Sequence, residues 1–429
     1  MVYTLTCKSK CYIPMQFPGG SIAREMDLFE DLSRDESKVI RVIDMHTSGE
    51  PTRIIISGYP SLDGDTLLEK RRCASERYDD IRKILMLEPR GHDGMYGAIL
   101  VQETELTRSG EADIGVLFCH NQGYSTMCGH ATIALGRFLV DTQDLRLFPR
   151  RNQLEASEDG ATTKIRLHAP CGVVHISVPT IANESGRLLS DGTKPVSFLS
   201  VPSFVSRSAL AVDVPAELAW RQLRSRADVT EKDTYTVTVD VCYGGAFYNI
   251  VSAQELGFSE GLRGKNYTME DFAEASRKLE SLLKTRKELY QHPQEKDLEF
   301  SYGVMIVDKT FGSKSNDRSE AGLLFFAEGQ IDRSPTGSCV SARVALGVHQ
   351  GWLKVGLSED NWWTFESIVS VPRGGNGFRG RAIKQDKEGV IVEVDGRAHY
   401  TGTAGFIPPD LERGDVIGKG FKLQLPYGR

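Results

Sequence analysis

Residues 125–136 read STMCGHATIALG, and a related stretch at residues 334–342 reads SPTGSCVSA. The two align without gaps at an offset of 208 residues (336 − 128), with Thr336 at the position of Cys128. Each predicts a loop that leads into a buried helix, because a glycine precedes small and apolar residues. Unpaired N–H groups and the helix dipole at such a start favour a thiolate. Cys128 is therefore a candidate base or nucleophile, and its counterpart is not a thiol.

The duplication extends beyond these two stretches. Residues 116–123 (VLFCHNQG) align with residues 324–331 (LFFAEGQI) at the same offset. Residues 43–50 (IDMHTSGE) align with residues 239–246 (VDVCYGGA) at an offset of 196 (239 − 43). Two similar offsets in one order predict two related halves, each with strands, a turn and a buried helix, that form a pseudo-symmetric pair of domains.

Composition and charge limit the function classes. The chain has 429 residues, 40% hydrophobic and 26% charged, which is ordinary for a globular protein of two or three domains. A net charge of −6 argues against broad binding to nucleic acid or anionic membranes, because no excess of Lys and Arg is available for phosphates. No apolar run approaches the roughly 20 residues that span a bilayer. We therefore expect no nucleic-acid or membrane partner.

The N-terminus and the cysteines bear on localisation. Residues 1–36 lack the basic start and apolar middle of a secretory signal, and we expect a poorly ordered extension. The eight cysteines lack the spacing of a disulfide framework, which favours a reducing compartment. The expected localisation is cytoplasmic.

Neither a metal nor a nucleotide cofactor is predicted. Cys119, His120, Cys128 and His130 lie within twelve positions, but the adjacent pair would point to opposite faces of a strand and no second close pair follows. No Gly-Lys-Ser, Gly-Lys-Thr or G-x-G-x-x-G motif follows a strand pattern. The expected chemistry is therefore independent of cofactors.

Strand patterns recur along both halves. Apolar and β-branched residues bounded by turn formers predict strands at 39–44, 53–57, 98–102, 114–118, 165–168, 173–178 and 234–241. Apolar residues at helical spacing among many charges predict one long inserted surface helix at 268–290. The simplest architecture is a mixed α/β fold in which β-rich halves each surround a short buried helix.

Several polar motifs stand in an order that resembles the proline racemase family. They are RVIDMHTSGEP at 41–51, EPRGH at 88–92, MCGH at 127–130, YGG at 243–245 and DRSP at 332–335. The resemblance covers roughly residues 38 to 429. It implies the α/β fold of diaminopimelate epimerase, with two pseudo-symmetric domains, each a barrel-like sheet around a central helix, and an active site in the cleft between the helix N-termini.

The resemblance also implies a domain division and an assembly. The first half would cover residues 37–200, with residues 408–429 returning to it, and the second half would cover residues 201–407, including the inserted helix. A homodimer that acts on a small molecule is the assembly typical of the family.

The cysteine and threonine pair distinguishes branches of the family. Racemases of this family use two cysteines on opposite faces of the substrate, because inversion through a planar carbanion needs a base and an acid on opposite sides. Thr336 has a far less acidic hydroxyl. The pair of Cys128 and Thr336 resembles the branch that dehydrates trans-3-hydroxy-L-proline, a hydro-lyase reaction in which one cysteine removes the α-proton and the 3-hydroxyl leaves as water.

Site roles follow from the same resemblance. The backbone N–H groups of Gly129, His130, Gly337 and Ser338 would hold the substrate carboxylate, which helix N-termini also do by themselves. His130 and Asp332 would contact the ring nitrogen. Such preorganised donors stabilise the charge that develops on the carboxylate as the α-proton leaves.

Three questions stay open at this point. The acid that protonates the leaving hydroxide is Thr336, His130 or Asp332. Cys339, where the family usually has glycine, is expected to be a packing residue, but as a second thiol it would restore proline racemase or 4-hydroxyproline epimerase activity. A third reading is a binder of proline-like amino acids without turnover.

Overall fold

Two buried helices and the strands around them form the frame of this protein. The computed structural model describes residues 39–226, 233–312, 318–327, 329–374, 377–409, 411 and 414–422, so the predicted extension at residues 1–36 lies outside the described residues. Within these ranges the helices are α1 (Leu67–Arg77), α2 (Asp79–Met86), α3 (Glu105–Ser109), α4 (Gly129–Asp141), α5 (Arg221–Arg224), α6 (Met269–Leu283) and α7 (Gly337–His349).

The strands occur in groups before, between and after these helices, and each predicted strand overlaps one of them. They are β1 (Ile40–Thr47), β2 (Glu50–Ser57), β3 (Tyr96–Val101), β4 (Ile114–His120), β5 (Tyr124–Ser125), β6 (Glu155–Ala156), β7 (Thr162–Ala169), β8 (Gly172–Ala182), β9 (Leu188–Ser190), β10 (Val196–Leu199), β11 (Phe204–Pro215), β12 (Thr234–Tyr243), β13 (Phe247–Ser252), β14 (Ser301–Asp308), β15 (Ser319–Phe326), β16 (Gln330–Asp332), β17 (Trp363–Ser367), β18 (Phe378–Gln385), β19 (Val390–Gly396) and β20 (Ala398–Phe406).

The two halves repeat one order of strand pairing. In the first half the strands pair in the order β20–β1–β2–β3–β4–β7–β8–β10. In the second half the order is β11–β12–β13–β14–β15–β17–β18–β19. The third and fifth pairings are parallel in both halves, and the others are antiparallel. Such agreement confirms the mixed α/β fold with two related halves.

Each half-sheet curls around its own helix. The helix α4 packs against β20, β1 and β2 at one end of the first sheet and against β8 and β10 at the other. The helix α7 packs in the same way against β11 and β12 and against β18 and β19. Both helices are buried along nearly their whole length because most of their residues are apolar or small, with Arg137 and Arg343 among the exceptions.

Two long-range pairings join the halves. β10 pairs with β19, so the end of one half-sheet continues into the other. β20 is the edge strand of the first half-sheet and pairs with β1, just as β11 is the edge strand of the second half-sheet and pairs with β12. The chain thus already contacts the first half at Ala398, and the predicted return of residues 408–429 to that half stays a prediction. Farther on, Phe421 exchanges backbone hydrogen bonds with Glu88 at 3.0 and 3.1 Å. The domain division at residue 200 stays a prediction.

The inserted helix is shorter than predicted. It starts as expected, because Thr268 and Asp271 form a capping box in which each side chain accepts from the other's backbone N–H at 2.7 and 3.2 Å. It ends at Leu283 and not at residue 290, since the following residues 284–287 (KTRK) offer no apolar side chain to continue the buried face. Among the described residues, no helix is both long and apolar enough to cross a membrane.

Candidate active site

The first turns of α4 and α7 meet between the two halves. A Cβ atom on Gly129 would lie 2.4 Å from the Cα of Gly337, and a Cβ atom on Gly337 would lie 2.8 Å from the Cα of Gly129. Real Cβ atoms do not approach that closely, so the crossing of the two helix starts requires both glycines. The structure thus brings the two motif copies together.

Each helix start is braced by a hairpin turn of its own half. In the first half, Thr47 at the end of β1 donates its hydroxyl to the carbonyl oxygen of His130 at 2.9 Å. In the second half, Gly244 in the turn between β12 and β13 packs so tightly that a Cβ atom there would lie 2.1 Å from the carbonyl oxygen of Ser338. His130 and Ser338 are equivalent at the 208-residue offset. The aligned motifs 43–50 and 239–246 therefore support the site from equivalent positions.

Cys128 is the N-cap of α4 and is buried at the junction. Its Sγ accepts from the backbone N–H of Ala131 at 3.4 Å and lies 3.3 Å from Nδ1 of His130. The ring of His130 meets the ring of Tyr96 edge to face at 4.8 Å between centroids. Tyr96 in turn hydrogen-bonds Ser125. These contacts hold the thiol in one place within a water-poor pocket.

Burial decides the protonation state of this thiol. It raises the pKa of Cys128 well above its ordinary value, the Ala131 N–H opposes this rise, and the carboxylates of Asp332 and Glu50 add to it. Burial therefore opposes the thiolate that the helix start was predicted to favour. Burial also lowers the pKa of His130, so the imidazole beside the thiol is neutral near pH 7.

Thr336 is oriented differently from Cys128. It is the N-cap residue of α7, but its side chain makes no cap and its hydroxyl instead donates to Oδ2 of Asp332 at 2.7 Å. Its backbone has φ 64°, a left-handed conformation that is unfavourable for a β-branched residue and costs about 1–3 kcal/mol. The Asp332 carboxylate is fixed as well, since Oδ1 accepts from the Ser334 N–H at 2.7 Å. The hydroxyl proton of Thr336 is thus used in a hydrogen bond to Asp332.

The two helix starts form a cradle of backbone donors. The N–H groups of Gly129, His130, Gly337 and Ser338 belong to first turns, whose donors have no acceptor within the helix. The side chain of Ser338 is held by Tyr248, with 2.6 Å between the two hydroxyl oxygens. An anionic group between the helices would meet donors from both halves.

An ion pair between Glu50 and Arg333, which links the two halves beside the helix starts, was not predicted from the sequence. Glu50 of β2 is buried, and its Oε2 accepts from the backbone N–H of Arg333 at 2.8 Å and from Nη1 at 3.4 Å. Burial and then the Asp332 carboxylate raise the pKa of Glu50, against the effect of Arg333. Both residues stand in quoted motifs, HTSGEP and DRSP, but no local pattern indicates that they meet across 283 positions.

An aromatic wall was also missed. Tyr302 of β14 stacks on Phe326 of β15 at 5.4 Å, and His120 meets both rings edge to face. These rings, together with Ser125, line a cavity of about 230 Å³ beside the segment that leads to Cys128. Aromatic residues within strand patterns are usually core residues, so their place beside the site could not be read from the sequence.

Cys339 lies in the first turn of α7 and is buried in the core. Burial raises its pKa strongly, and the nearby Arg343 only partly opposes this rise. Within the described ranges, no group of three or more His, Cys, Asp or Glu side chains is arranged to hold a metal ion.

Comparison with known proteins places the chain in a family. A model of the proline racemase family matches residues 42–422, so the chain belongs to that family. A protein of Xenopus tropicalis named trans-L-3-hydroxyproline dehydratase is 39% identical over 396 residues, 91% of this chain and 97% of that one. Trans-3-hydroxy-L-proline dehydratases of Homo sapiens (40% over 391 residues, 90% and 95%) and Bacillus cereus (33% over 385 residues, 89% and 99%) are also similar.

Solved structures share the fold. A hydroxyproline epimerase of Agrobacterium vitis with bound trans-4-hydroxy-L-proline superposes with a TM-score of 0.66 at 21% identity and covers 90% of this chain and 96% of that one. A probable proline racemase of Agrobacterium radiobacter with bound carbonate gives 0.68 at 22% identity, with the same coverage. These likenesses confirm the predicted fold class.

Proposed function

We propose that the protein removes water from trans-3-hydroxy-L-proline, with Cys128 as the only thiol that reacts. One observation carries the proposal: the residue that corresponds to Cys128 in the second half is Thr336, which offers a hydroxyl in place of a thiol and donates it to Asp332. The relatives named dehydratases support the same reaction.

Substrate binding uses the cradle between the helices. The carboxylate accepts from the N–H groups of Gly129, His130, Gly337 and Ser338, and the ring nitrogen faces His130 and Asp332. As the α-proton leaves, negative charge moves onto the carboxylate, and these donors stabilise it without rearrangement. The cationic ring nitrogen also favours the thiolate of Cys128, which burial alone disfavours.

Stereochemistry explains why one thiol suffices. In the trans isomer the 3-hydroxyl and the α-hydrogen both lie opposite the carboxylate, and therefore on the same face of the ring. Cys128 takes the α-proton, the C–H electron pair forms the C2=C3 bond, and the C3–O bond breaks. The thiol then returns the proton to the departing oxygen, which leaves as water. The enamine that remains becomes Δ1-pyrroline-2-carboxylate by tautomerisation.

This scheme answers the question of the acid. In this scheme Cys128 acts on the face of the leaving group, and Thr336 and Asp332, which bond to each other, face the opposite side. A threonine hydroxyl is far less acidic than a thiol, so the scheme predicts that return of a proton to the α-carbon from that side does not compete. The alternative with Cys339 as a second thiol is less favoured, because Cys339 lies three residues after the position that corresponds to Cys128 and is fully buried.

Incubation of the protein with three substrates in parallel tests the function. We expect Δ1-pyrroline-2-carboxylate from trans-3-hydroxy-L-proline, no D-proline from L-proline and no epimer of trans-4-hydroxy-L-proline. Formation of D-proline or of the 4-hydroxyproline epimer without water loss would contradict the proposal and favour the two-base alternative. No reaction with any of the three substrates would favour a protein that binds proline-like amino acids without turnover.

Activity should rise with pH. The reactive form is the thiolate, and the raised pKa of Cys128 makes that form scarce at neutral pH. The thiolate fraction therefore grows as the pH approaches the raised pKa, and we expect kcat/KM for trans-3-hydroxy-L-proline to increase through pH 7–9. A profile that is flat there would show that the free enzyme holds a preformed thiolate.

A second thiol should restore inversion. Replacing Thr336 by cysteine removes the hydroxyl bound to Asp332 and places an acid opposite Cys128, so we expect slow formation of D-proline from L-proline. Thr336→Ser is the matched control, because it keeps a hydroxyl for Asp332 and should form none. Chiral chromatography measures the D-proline that each variant forms. Equal amounts from the two variants would contradict the role of position 336 as the site of the second acid.

Localisation and assembly are further parts of the proposal. A cytoplasmic location is supported by the described cysteines, all free thiols: Cys73, Cys119, Cys128, Cys171, Cys242 and Cys339. A homodimer is supported by the family resemblance.

A further inference from the structure

Two buried hydroxyl groups beside Cys128 have no part in the proposed elimination. Tyr96 begins β3 and is 2% exposed, and its hydroxyl hydrogen-bonds that of Ser125 in β5. Its ring packs edge to face on His130, whose two ring nitrogens lie 3.3 and 3.5 Å from the Cys128 sulfur. The Tyr96 hydroxyl also hydrogen-bonds this sulfur. The serine, the phenol and the sulfur therefore lie in series.

The protons of the two hydroxyls can be arranged in two ways. Each hydroxyl has one proton to donate and can also accept. Ser125 donates to the carbonyl oxygen of Met127 at 3.5 Å, which is long for a hydrogen bond, and Tyr96 then donates to Ser125. This arrangement suits a protonated Cys128, which needs no donor.

A thiolate favours the opposite arrangement. Tyr96 turns its proton to the sulfur, and Ser125 turns its proton to the Tyr96 oxygen. Both hydroxyls keep their protons, and the bond given up is the long one to Met127. A hydrogen bond to an ionised group is about twice as strong as one between neutral groups, so the exchange stabilises the thiolate.

We propose that Ser125 and Tyr96 form a hydroxyl relay that stabilises the thiolate of Cys128, with Tyr96 as the positioning residue that donates to the sulfur. The inference rests on the proposed role of Cys128 as the base. It assigns the phenol a part in preparing that base before the substrate binds.

The charges around Cys128 explain why such a donor matters. Burial raises the pKa of Cys128, and the carboxylates of Asp332 in β16 and Glu50 in β2 add to the rise. The backbone N–H of Ala131 and the hydroxyl of Tyr96 lower the pKa. The thiolate thus gains its stabilisation from neutral donors.

Two further side chains face the sulfur, and both are uncharged near pH 7. Burial lowers the pKa of His130 and raises that of Tyr302 in β14 well above its ordinary value. Tyr302 also hydrogen-bonds the hydroxyl of Tyr96, so the phenol oxygen has a second partner besides Ser125.

The pH dependence of Cys128 alkylation tests the relay without any substrate. The full chain is treated with iodoacetamide over a range of pH, and modification of the peptide that contains Cys128 is followed by mass spectrometry. The rate reports the thiolate, because the thiol does not react. For Tyr96→Phe we expect a midpoint about one pH unit higher and a rate at pH 7 about tenfold lower than in the wild-type protein.

Ser125→Ala is the second variant and decides the outcome if Tyr96→Phe does not fold. Its midpoint should move in the same direction by a smaller amount, because Tyr302 still hydrogen-bonds the phenol. Tyr290→Phe is the matched control. Tyr290 is also buried, at 1% exposed, and its hydroxyl donates to Asn249 at 3.0 Å, so its loss should leave the alkylation midpoint unchanged.

The outcomes separate the relay from the proposed reaction. An unchanged or lower midpoint in the folded Tyr96→Phe or Ser125→Ala variant, or an equal displacement in Tyr290→Phe, would overturn the relay. A raised midpoint in a protein that does not turn over trans-3-hydroxy-L-proline would support the relay and contradict the proposed reaction.

Discussion

Replacing Cys128 by serine is expected to lower kcat/KM for trans-3-hydroxy-L-proline by about 10²–10⁴-fold, the usual contribution of a general base. Serine keeps the size and the N-cap position of the residue, so α4 should still form. Its hydroxyl is far less acidic than a thiol and therefore a much weaker source of the anionic base that removes the α-proton. Formation of pyrroline carboxylate measures the loss.

Cys339→Ala is the matched control for this variant. Cys339 is also a buried thiol in a first helix turn, but it stands three residues after Thr336, the residue that corresponds to Cys128. We expect its kcat/KM to stay within a fewfold of the wild-type value. Retained activity in Cys128→Ser, or an equal loss in Cys339→Ala, would remove Cys128 from its role as the sole reactive thiol.

The second large effect concerns the crossing of the helices. Gly129→Ala would place a methyl group 2.4 Å from the Cα of Gly337, so the two helix starts must separate by about 1 Å or more. Such a displacement in a preorganised site can cost about 10²-fold in rate. We expect kcat/KM to fall by that order, with a lower Tm, because the donors of the two halves no longer converge on one carboxylate.

Gly123→Ala is the control for the glycine substitution. Gly123 lies in the turn before β5, and a Cβ atom there would meet no other atom within 4 Å. Its kcat/KM and Tm should stay close to those of the wild-type protein. If Gly129→Ala behaves like Gly123→Ala, the close crossing of α4 and α7 is not needed for activity.

Local patterns were enough to predict much of this fold. The glycine followed by small apolar residues predicted α4 and α7. Apolar and β-branched residues bounded by turn formers predicted strands that overlap β1 to β4, β7, β8 and β12. The 208-residue offset predicted that Cys128 and Thr336 occupy equivalent helix starts, and both helices indeed begin at that spacing. These features depend on neighbours along the chain, which the sequence shows directly.

Features that depend on distant residues were not predictable. The edge strand β20 joins β1 across the whole chain, and its sequence does not name its partner. Glu50 and Arg333 meet only because the halves close on each other. The raised pKa of Cys128 follows from burial, a tertiary property that opposes the helix start on which the sequence prediction relied.

The most direct test of one-face elimination is the stereochemistry of unreacted substrate. Trans-3-hydroxy-L-proline is incubated with the protein to partial conversion in D₂O, and the remaining amino acid is separated from Δ1-pyrroline-2-carboxylate by chiral chromatography. Elimination by Cys128 alone predicts that all remaining substrate keeps the trans-3-hydroxy-L configuration. Appearance of cis-3-hydroxy-D-proline, the product of inversion at the α-carbon, would contradict it, because a proton must then have arrived from the face of Thr336.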